Sequence, residues 1–195
     1  MLRARQRMAS TESGDVMLKG IRLVCAAAEL AAHRHSGQQR KGRESEPSIN
    51  HLAEVANLLC AATNGEDAEL IAAGWLHDTL EDTATTSEEL AQRFGPRVAA
   101  LVAEVTDDMS LPKGERRERQ IAGAPKKSAG AKLIKIADKI SNVRARIFPG
   151  GSRDEREELA NYLASPEKVV AGCSGVSAAL DKLFEDVSAN ARSTM

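Results

Sequence analysis

The stretch Gly74-Trp75-Leu76-His77-Asp78-Thr79-Leu80-Glu81-Asp82-Thr83 decides how the rest of the chain is read. At about 100° per residue, a helix through it gathers His77, Asp78, Glu81 and Asp82 into an arc of roughly 140°, while Leu76 and Leu80 point into a core. Three carboxylates that close raise one another's pKa unless a cation compensates them. The arrangement therefore points to a divalent metal with His77 and Asp78 as ligands. A His-Asp dipeptide also arises by chance, and Glu81 and Asp82 equally describe a solvated helix face. The flanking sequence has to decide.

Working outward, the central helix is expected from about Asp67 to Leu80. Before it, Asn50 can cap a helix from His51 to about Thr63, closed by Asn64-Gly65 and carrying Leu52, Val55, Leu58 and Leu59 on one face. The loop at 36–48 contains Gly37, Gly42 and Pro47 and carries Arg40, Lys41 and Arg43; alone it reads as a solvated linker. A first helix is expected from Val16 to His35, after a polar, loosely ordered leader over 1–16. On the other side, Thr85 to Glu89 has capping-box spacing, Gly95 stops that helix and Pro96 opens the next. Residues 109–130 read as a mobile connection with one small helix. From Ala131, the pattern Leu133, Ile136, Ala137, Ile140, Val143, Ile147 is helical, with Asp138 and Asn142 one turn apart. Two further helices, about 153–171 and 175–189, end the chain, with Pro166 as an expected break or kink. The expectation is an all-α, single-domain bundle of about seven to nine helices over residues 17–190.

Composition agrees with one helical domain. The chain has 195 residues, and its 3% aromatic content favours Ala- and Leu-rich helices over a β-sandwich. With 27 basic and 28 acidic residues there is no overall cationic excess, so no nucleic-acid partner is expected. Cys25, Cys60 and Cys173 are widely spaced and read as small buried hydrophobes in a reducing compartment. No apolar run approaches the ~18 residues needed to cross a bilayer, and the Arg-rich start has no apolar segment after it. A cytoplasmic protein is expected, with no membrane association and either a monomer or a homodimer.

Four histidines limit the ligands available for a metal. His33 and His35 close the first helix, where a surface role or a carbonyl contact suits them. His51 opens a helix that packs beside the central one, and is either a polar residue near the helix cap or a ligand. Asp138 stands in an otherwise apolar, Lys-spaced helix and either pairs with Lys135 or faces the metal. Together His51, His77, Asp78 and Asp138 offer two imidazoles and two carboxylates to a six-coordinate Mn²⁺-, Mg²⁺- or Fe-type ion.

The order of motifs then becomes diagnostic. Gln38-Gln39-Arg40-Lys41, Ile49-Asn50-His51, Leu76 to Thr83, Phe94-Gly95, Val105-Thr106-Asp107-Asp108, Leu111-Pro112-Lys113 and Gly130 through Asn142 together resemble the hydrolase domain of the RelA/SpoT family. The resemblance spans about residues 18–185 and points to the stand-alone small alarmone hydrolases, a group that includes the metazoan SpoT homologue. These are HD-domain, metal-dependent phosphohydrolases. The resemblance implies removal of the 3′-pyrophosphate from guanosine 3′,5′-bis(diphosphate) and its pentaphosphate relative, a small-molecule nucleotide substrate, with Mn²⁺ as cofactor. It implies His51, His77, Asp78 and Asp138 as metal ligands, with Glu81 and Asp82 positioning and deprotonating the attacking water. Arg40, Lys41 and Asn142 are implied as substrate contacts, with Lys113 and Tyr162 as further candidates on that side. The chain departs from the family pattern at Ser48 and Leu52, where an aromatic residue and a proline usually flank the histidine. It departs again at Ser141, where His or Tyr is common. An adenosine alarmone or the 2′-phosphate of NADPH is an alternative target of the same site, and a non-catalytic helical binding module that retains the fold is the alternative outside catalysis; loss of a ligand or of Glu81 or Asp82 would favour it, and all are present.

Overall fold

Glycines, prolines and side-chain caps cut the chain into helices in the computed structural model, which describes residues 2–40, 46–148 and 150–195, with backbone alone for 2–14. The elements are α1 (Leu2–Arg34), α2 (Ser48–Ala62), α3 (Ala68–Leu76), α4 (Thr79–Asp82), α5 (Ser87–Phe94), α6 (Pro96–Val105), α7 (Lys113–Gly123), α8 (Ala129–Arg144), α9 (Arg153–Cys173) and α10 (Ala178–Ser193), with a 3₁₀ turn at Ala124–Lys126. Among the described residues, nine of these helices exceed a single turn and there is no strand, only an isolated bridge between Gln39 and Pro47. This is the all-α bundle the periodicity implies, and none of its helices is long and apolar enough to cross a membrane.

Helices α2, α3 and α8 meet one another, with α1 against α3 and α10 against α8. Leu52, Val55 and Leu59 of α2, Leu70 and Leu76 of α3, and Ile134, Ile136 and Ile140 of α8 are essentially inaccessible. Each fully buried Leu or Ile contributes about 1.5–3 kcal/mol, so this three-helix contact is the rigid part of the fold. Gly74 permits the close approach: a Cβ there would stand 2.5 Å from Leu59 Cδ1 and 3.3 Å from the Ala56 Cα.

Several boundaries differ from the sequence reading. Helix α1 begins at Leu2 rather than near Val16, because residues 2–15 hold no proline and a single glycine, so nothing stops the helix there. Pro47, not Asn50, stands at the N-cap of α2, whose first turn starts at Ser48. The charged segment after Pro112 forms three turns instead of one small helix. Helix α9 runs through Pro166, whose missing N–H is offset by the buried Leu159, Leu163, Val169 and Val170 on either side. Cys25 and Cys60 are exposed, and only Cys173 is buried.

Candidate metal centre

The central helix does not run through the His-Asp pair. It ends at Leu76 because side chains take the carbonyls of its last turn: His77 Nδ1 donates to Gly74 O at 2.8 Å and Thr79 Oγ1 donates to Leu76 O at 2.6 Å. His77 and Asp78 thus sit in the turn between α3 and α4. Because a carbonyl only accepts, His77 Nδ1 carries the hydrogen and Nε2 keeps its lone pair. Burial, with the neighbouring His51, pushes the His77 pKa down despite Asp78 and Asp138, so the ring stays neutral.

That lone pair faces His51 from α2. The two Nε2 atoms are 3.2 Å apart, Asp78 Oδ1 is 3.2 Å from His77 Nε2, and Asp78 Oδ2 is 3.6 Å from His51 Nε2. Asp138 Oδ1 of α8 lies 3.3 Å from His51 Nε2 and 3.9 Å from His77 Nε2. Neighbouring donors on one ion with bonds of about 2.1 Å stand about 3.0 Å apart at right angles and about 3.4 Å apart tetrahedrally. The 3.2 and 3.3 Å separations fall between these values, and the 3.6 and 3.9 Å separations correspond to wider angles at an ion. Neutral nitrogen lone pairs and carboxylate oxygens this close repel one another without a cation, so the donor set fits a divalent metal.

Asp138 is held as a carboxylate. Burial favours its neutral form, but the Lys139 ammonium outweighs it and keeps the carboxyl well below its ordinary range. Lys139 Nζ donates to Asp138 Oδ2 at 2.9 Å, and Asn142 Nδ2 donates to Oδ1. The partner of Asp138 is thus Lys139, not Lys135, and the pair is buried instead of lying on the surface. Burial and Lys139 push the Lys135 pKa down.

Glu81 and Asp82 on α4 line a cleft of about 460 Å³ over this cluster, a volume suited to a nucleotide. Burial and the charges of Asp78 and Asp107 push the Glu81 carboxyl up to about 7, although the Asp107 N–H donates to Glu81 Oε1 at 2.5 Å. Cations line the rest of the cleft: Arg40 from the loop before α2, Arg116 from α7, Lys135 and Lys139 from α8, and Arg146 just beyond it. Acidic floor and basic walls make a site for a polyanion bound through a metal.

Arg40 donates from Nη2 to Ser141 O at 2.8 Å and to Ser141 Oγ at 3.1 Å, and its loop is pinned by Arg40 N to Glu46 O at 2.8 Å and Ser48 N to Gln38 O at 3.0 Å. That backbone pairing supports Arg40 at the cleft. Lys41 lies outside the described residues. Lys113 is exposed and away from the cleft lining; one turn further along α7, Arg116 takes that wall. Tyr162 does not line the cleft either but lies under the Arg146 guanidinium at 3.8 Å. His35 is buried and lines the cleft, with Nδ1 2.7 Å from Gln38 Oε1, whereas His33 lies outside it. Sequence reasoning passed over Arg116, Lys139, Arg146 and Glu54. The Lys135/Lys139 spacing on an apolar helix was the available signal for one of them.

Residues 27–162 match the model of the HD domain family. The chain is 43% identical over 166 residues to "Guanosine-3′,5′-bis(diphosphate) 3′-pyrophosphohydrolase MESH1" of Mus musculus, covering 82% of this chain and 92% of that protein. It is 42% identical to the protein of the same name from Homo sapiens over 161 residues, 82% of this chain and 89% of the relative. A solved structure described as a metazoan ortholog of SpoT that hydrolyzes ppGpp superposes with a TM-score of 0.76 at 35% identity, covering 85% of this chain and 93% of that one.

Proposed function

We propose, from the premise that this chain belongs to the HD-domain family and to the group that includes the MESH1 pyrophosphohydrolases, that it hydrolyses guanosine 3′,5′-bis(diphosphate) to GDP and pyrophosphate, and the pentaphosphate relative to GTP and pyrophosphate. The observation that carries the reading is the convergence of His51, His77 and Asp138 from α2, the α3–α4 turn and α8, with Asp78 beside both histidines and an acidic pair in the same cation-walled cleft. Those four residues would hold the metal, which we take to be Mn²⁺. Such an ion polarises a phosphoryl oxygen and makes water more acidic.

The remaining work falls to side chains. Glu81 and Asp82 position the attacking water and accept its proton; neither is a metal ligand in this reading, so a carboxylate is left to act as general base. The water oxygen bonds to the phosphorus attached to the ribose 3′-oxygen, the P–O3′ bond breaks, and O3′ takes up a proton from solvent as the acidic pair returns the water's proton to solvent, so that one water is consumed overall. Arg40, with Lys41 beside it in sequence, binds phosphate oxygens, the guanidinium as a planar fork and the ammonium as a point charge. Arg116 adds a cation on the facing wall, Asn142 contacts the ribose side, Tyr162 acts through Arg146, and Lys113 has the outermost position. Residues 17–190 form the catalytic unit, with 1–16 a leader outside it. The protein acts in the cytoplasm on a small-molecule nucleotide, as a monomer or homodimer, without nucleic-acid or membrane partners.

The test is to incubate purified protein and Mn²⁺ separately with guanosine and adenosine 3′-pyrophosphate nucleotides and with NADPH. Pyrophosphate from the guanosine substrates is expected. Release only of orthophosphate from NADPH, or only of pyrophosphate from the adenosine compounds, overturns the substrate assignment. Asp82→Asn should abolish turnover with metal and nucleotide still bound, and unchanged turnover contradicts its role.

A further inference from the structure

His51 presents Nε2 to the donor cluster, so whatever holds Nδ1 decides whether Nε2 has a lone pair to give. Ser141 Oγ lies 2.9 Å from His51 Nδ1 and donates its one hydrogen to Glu54 Oε2. With that hydrogen committed, the hydroxyl meets His51 only as an acceptor; Nδ1 then carries the ring hydrogen and Nε2 the lone pair. Glu54 is fixed from its other side by Arg144 Nη1, which donates to Oε1 at 2.9 Å. Burial works against the Glu54 charge, but the bonds from Ser141 and Arg144 prevail and hold the carboxyl below its ordinary value.

A competitor stands next to the ring. Arg40 Nη2 is 3.2 Å from His51 Nδ1, and a guanidinium only donates. Were Arg40 the partner of Nδ1, the ring hydrogen would move to Nε2 and point into the donor cluster, where no metal accepts it. Ser141 prevents this twice: its Oγ takes the Nδ1 hydrogen, and its carbonyl and hydroxyl oxygens take the hydrogens of Arg40 at 2.8 and 3.1 Å. The spacing in sequence supports the arrangement. Glu54 follows His51 by three residues on α2, and Ser141 follows Asp138 by three on α8, so each helix carries one member of the cluster and one member of the relay on the same face. The Ser141 departure from the usual His or Tyr thus comes with a carboxylate across the helix contact to complete it.

We propose that Glu54 and Ser141 are positioning residues that fix the metal-binding tautomer of His51 and keep Arg40 off its Nδ1. The inference rests on the reading of His51 as a metal ligand. It is tested by titrating metal-free wild-type, Ser141→Ala, Ser141→Thr, Glu54→Gln and His51→Ala proteins with Mn²⁺, following free ion by electron paramagnetic resonance. Histidine ring ¹⁵N spectra and thermal midpoints of the metal-free proteins accompany the titrations. Ser141→Ala is expected to weaken Mn²⁺ binding roughly 10- to 100-fold and to shift His51 toward the Nε2–H form. Glu54→Gln should move both readouts the same way, since an amide can donate to Ser141 and turn the hydroxyl toward Nδ1. Ser141→Thr should restore wild-type behaviour. Affinity within twofold of wild type and an unchanged tautomer in both Ser141→Ala and Glu54→Gln overturn the proposal, whatever happens to the thermal midpoint. Wild-type affinity in His51→Ala overturns the ligand reading itself, and this inference with it.

Discussion

Replacing Glu81 by Gln should stabilise the metal-free protein at pH 8 and change it little at pH 4. Burial first, then the charges of Asp78 and Asp107, raise the Glu81 carboxyl from 4.5 to about 7 against the pull of the Asp107 N–H and Lys135. The unfolded chain loses this proton near its ordinary value, the folded chain near neutrality. Between those points the folded state binds more protons, so its stability falls as pH rises through the window and stays lowered above it. At about 1.4 kcal/mol per pKa unit, the buried charge costs roughly 3 kcal/mol at pH 8, most of it incurred between pH 5 and 8. Gln carries no charge and still accepts from the Asp107 N–H. For a domain of this size, 1 kcal/mol moves the melting temperature by about 2–4 °C, so Glu81→Gln should melt on the order of 6–12 °C above wild type at pH 8. Calorimetric melts in chelator at pH 4, 5 and 8 measure this. A melting difference between the two proteins that stays constant across that range refutes the assigned ionisation.

Other perturbations separate the parts of the site. Asp138→Asn leaves the Lys139 ammonium buried without its carboxylate and should cost about 3–5 kcal/mol in denaturant melts while removing the metal. Gly74→Ala places a methyl against the Ala56 backbone and Leu59; it should cost about 1–3 kcal/mol and weaken metal binding by moving His77 away from His51, as a paired melt and Mn²⁺ titration would reveal. Arg116→Ala should raise KM about tenfold or more with kcat largely kept, whereas Lys113→Ala should stay within about twofold; steady-state kinetics giving the reverse order would move the substrate to the outer end of α7.

What the sequence disclosed about this site depended on local spacing. The breakers Gly65, Gly95 and Pro96 and the capping-box spacing over Thr85 to Glu89 marked helix ends that the structure keeps, since each acts through its own backbone or a bond three residues away. The turn at His77-Asp78 was read as continuous helix because its cause is the capture of the Gly74 and Leu76 carbonyls by side chains that also suit a helix. The four donors were legible as residue types, but their order along the chain, matched to a known pattern of motifs, was needed to group them. Glu54 with Ser141, 87 positions apart, carried no such signal: their bond exists only because α2 and α8 pack together. Arg116 was missed for a related reason, since which face of α7 turns toward the cleft follows from packing and not from its nearly uniform polarity.

The most direct measurement is a stoichiometric metal titration with product analysis. Chelator-treated protein receives Mn²⁺ stepwise while GDP and pyrophosphate formed from guanosine 3′,5′-bis(diphosphate) are counted. The expected result is no release without the ion, saturation at one ion per chain, and equal amounts of the two products. Undiminished release in chelator, or orthophosphate in place of pyrophosphate, would contradict a single metal centre built from His51, His77, Asp78 and Asp138.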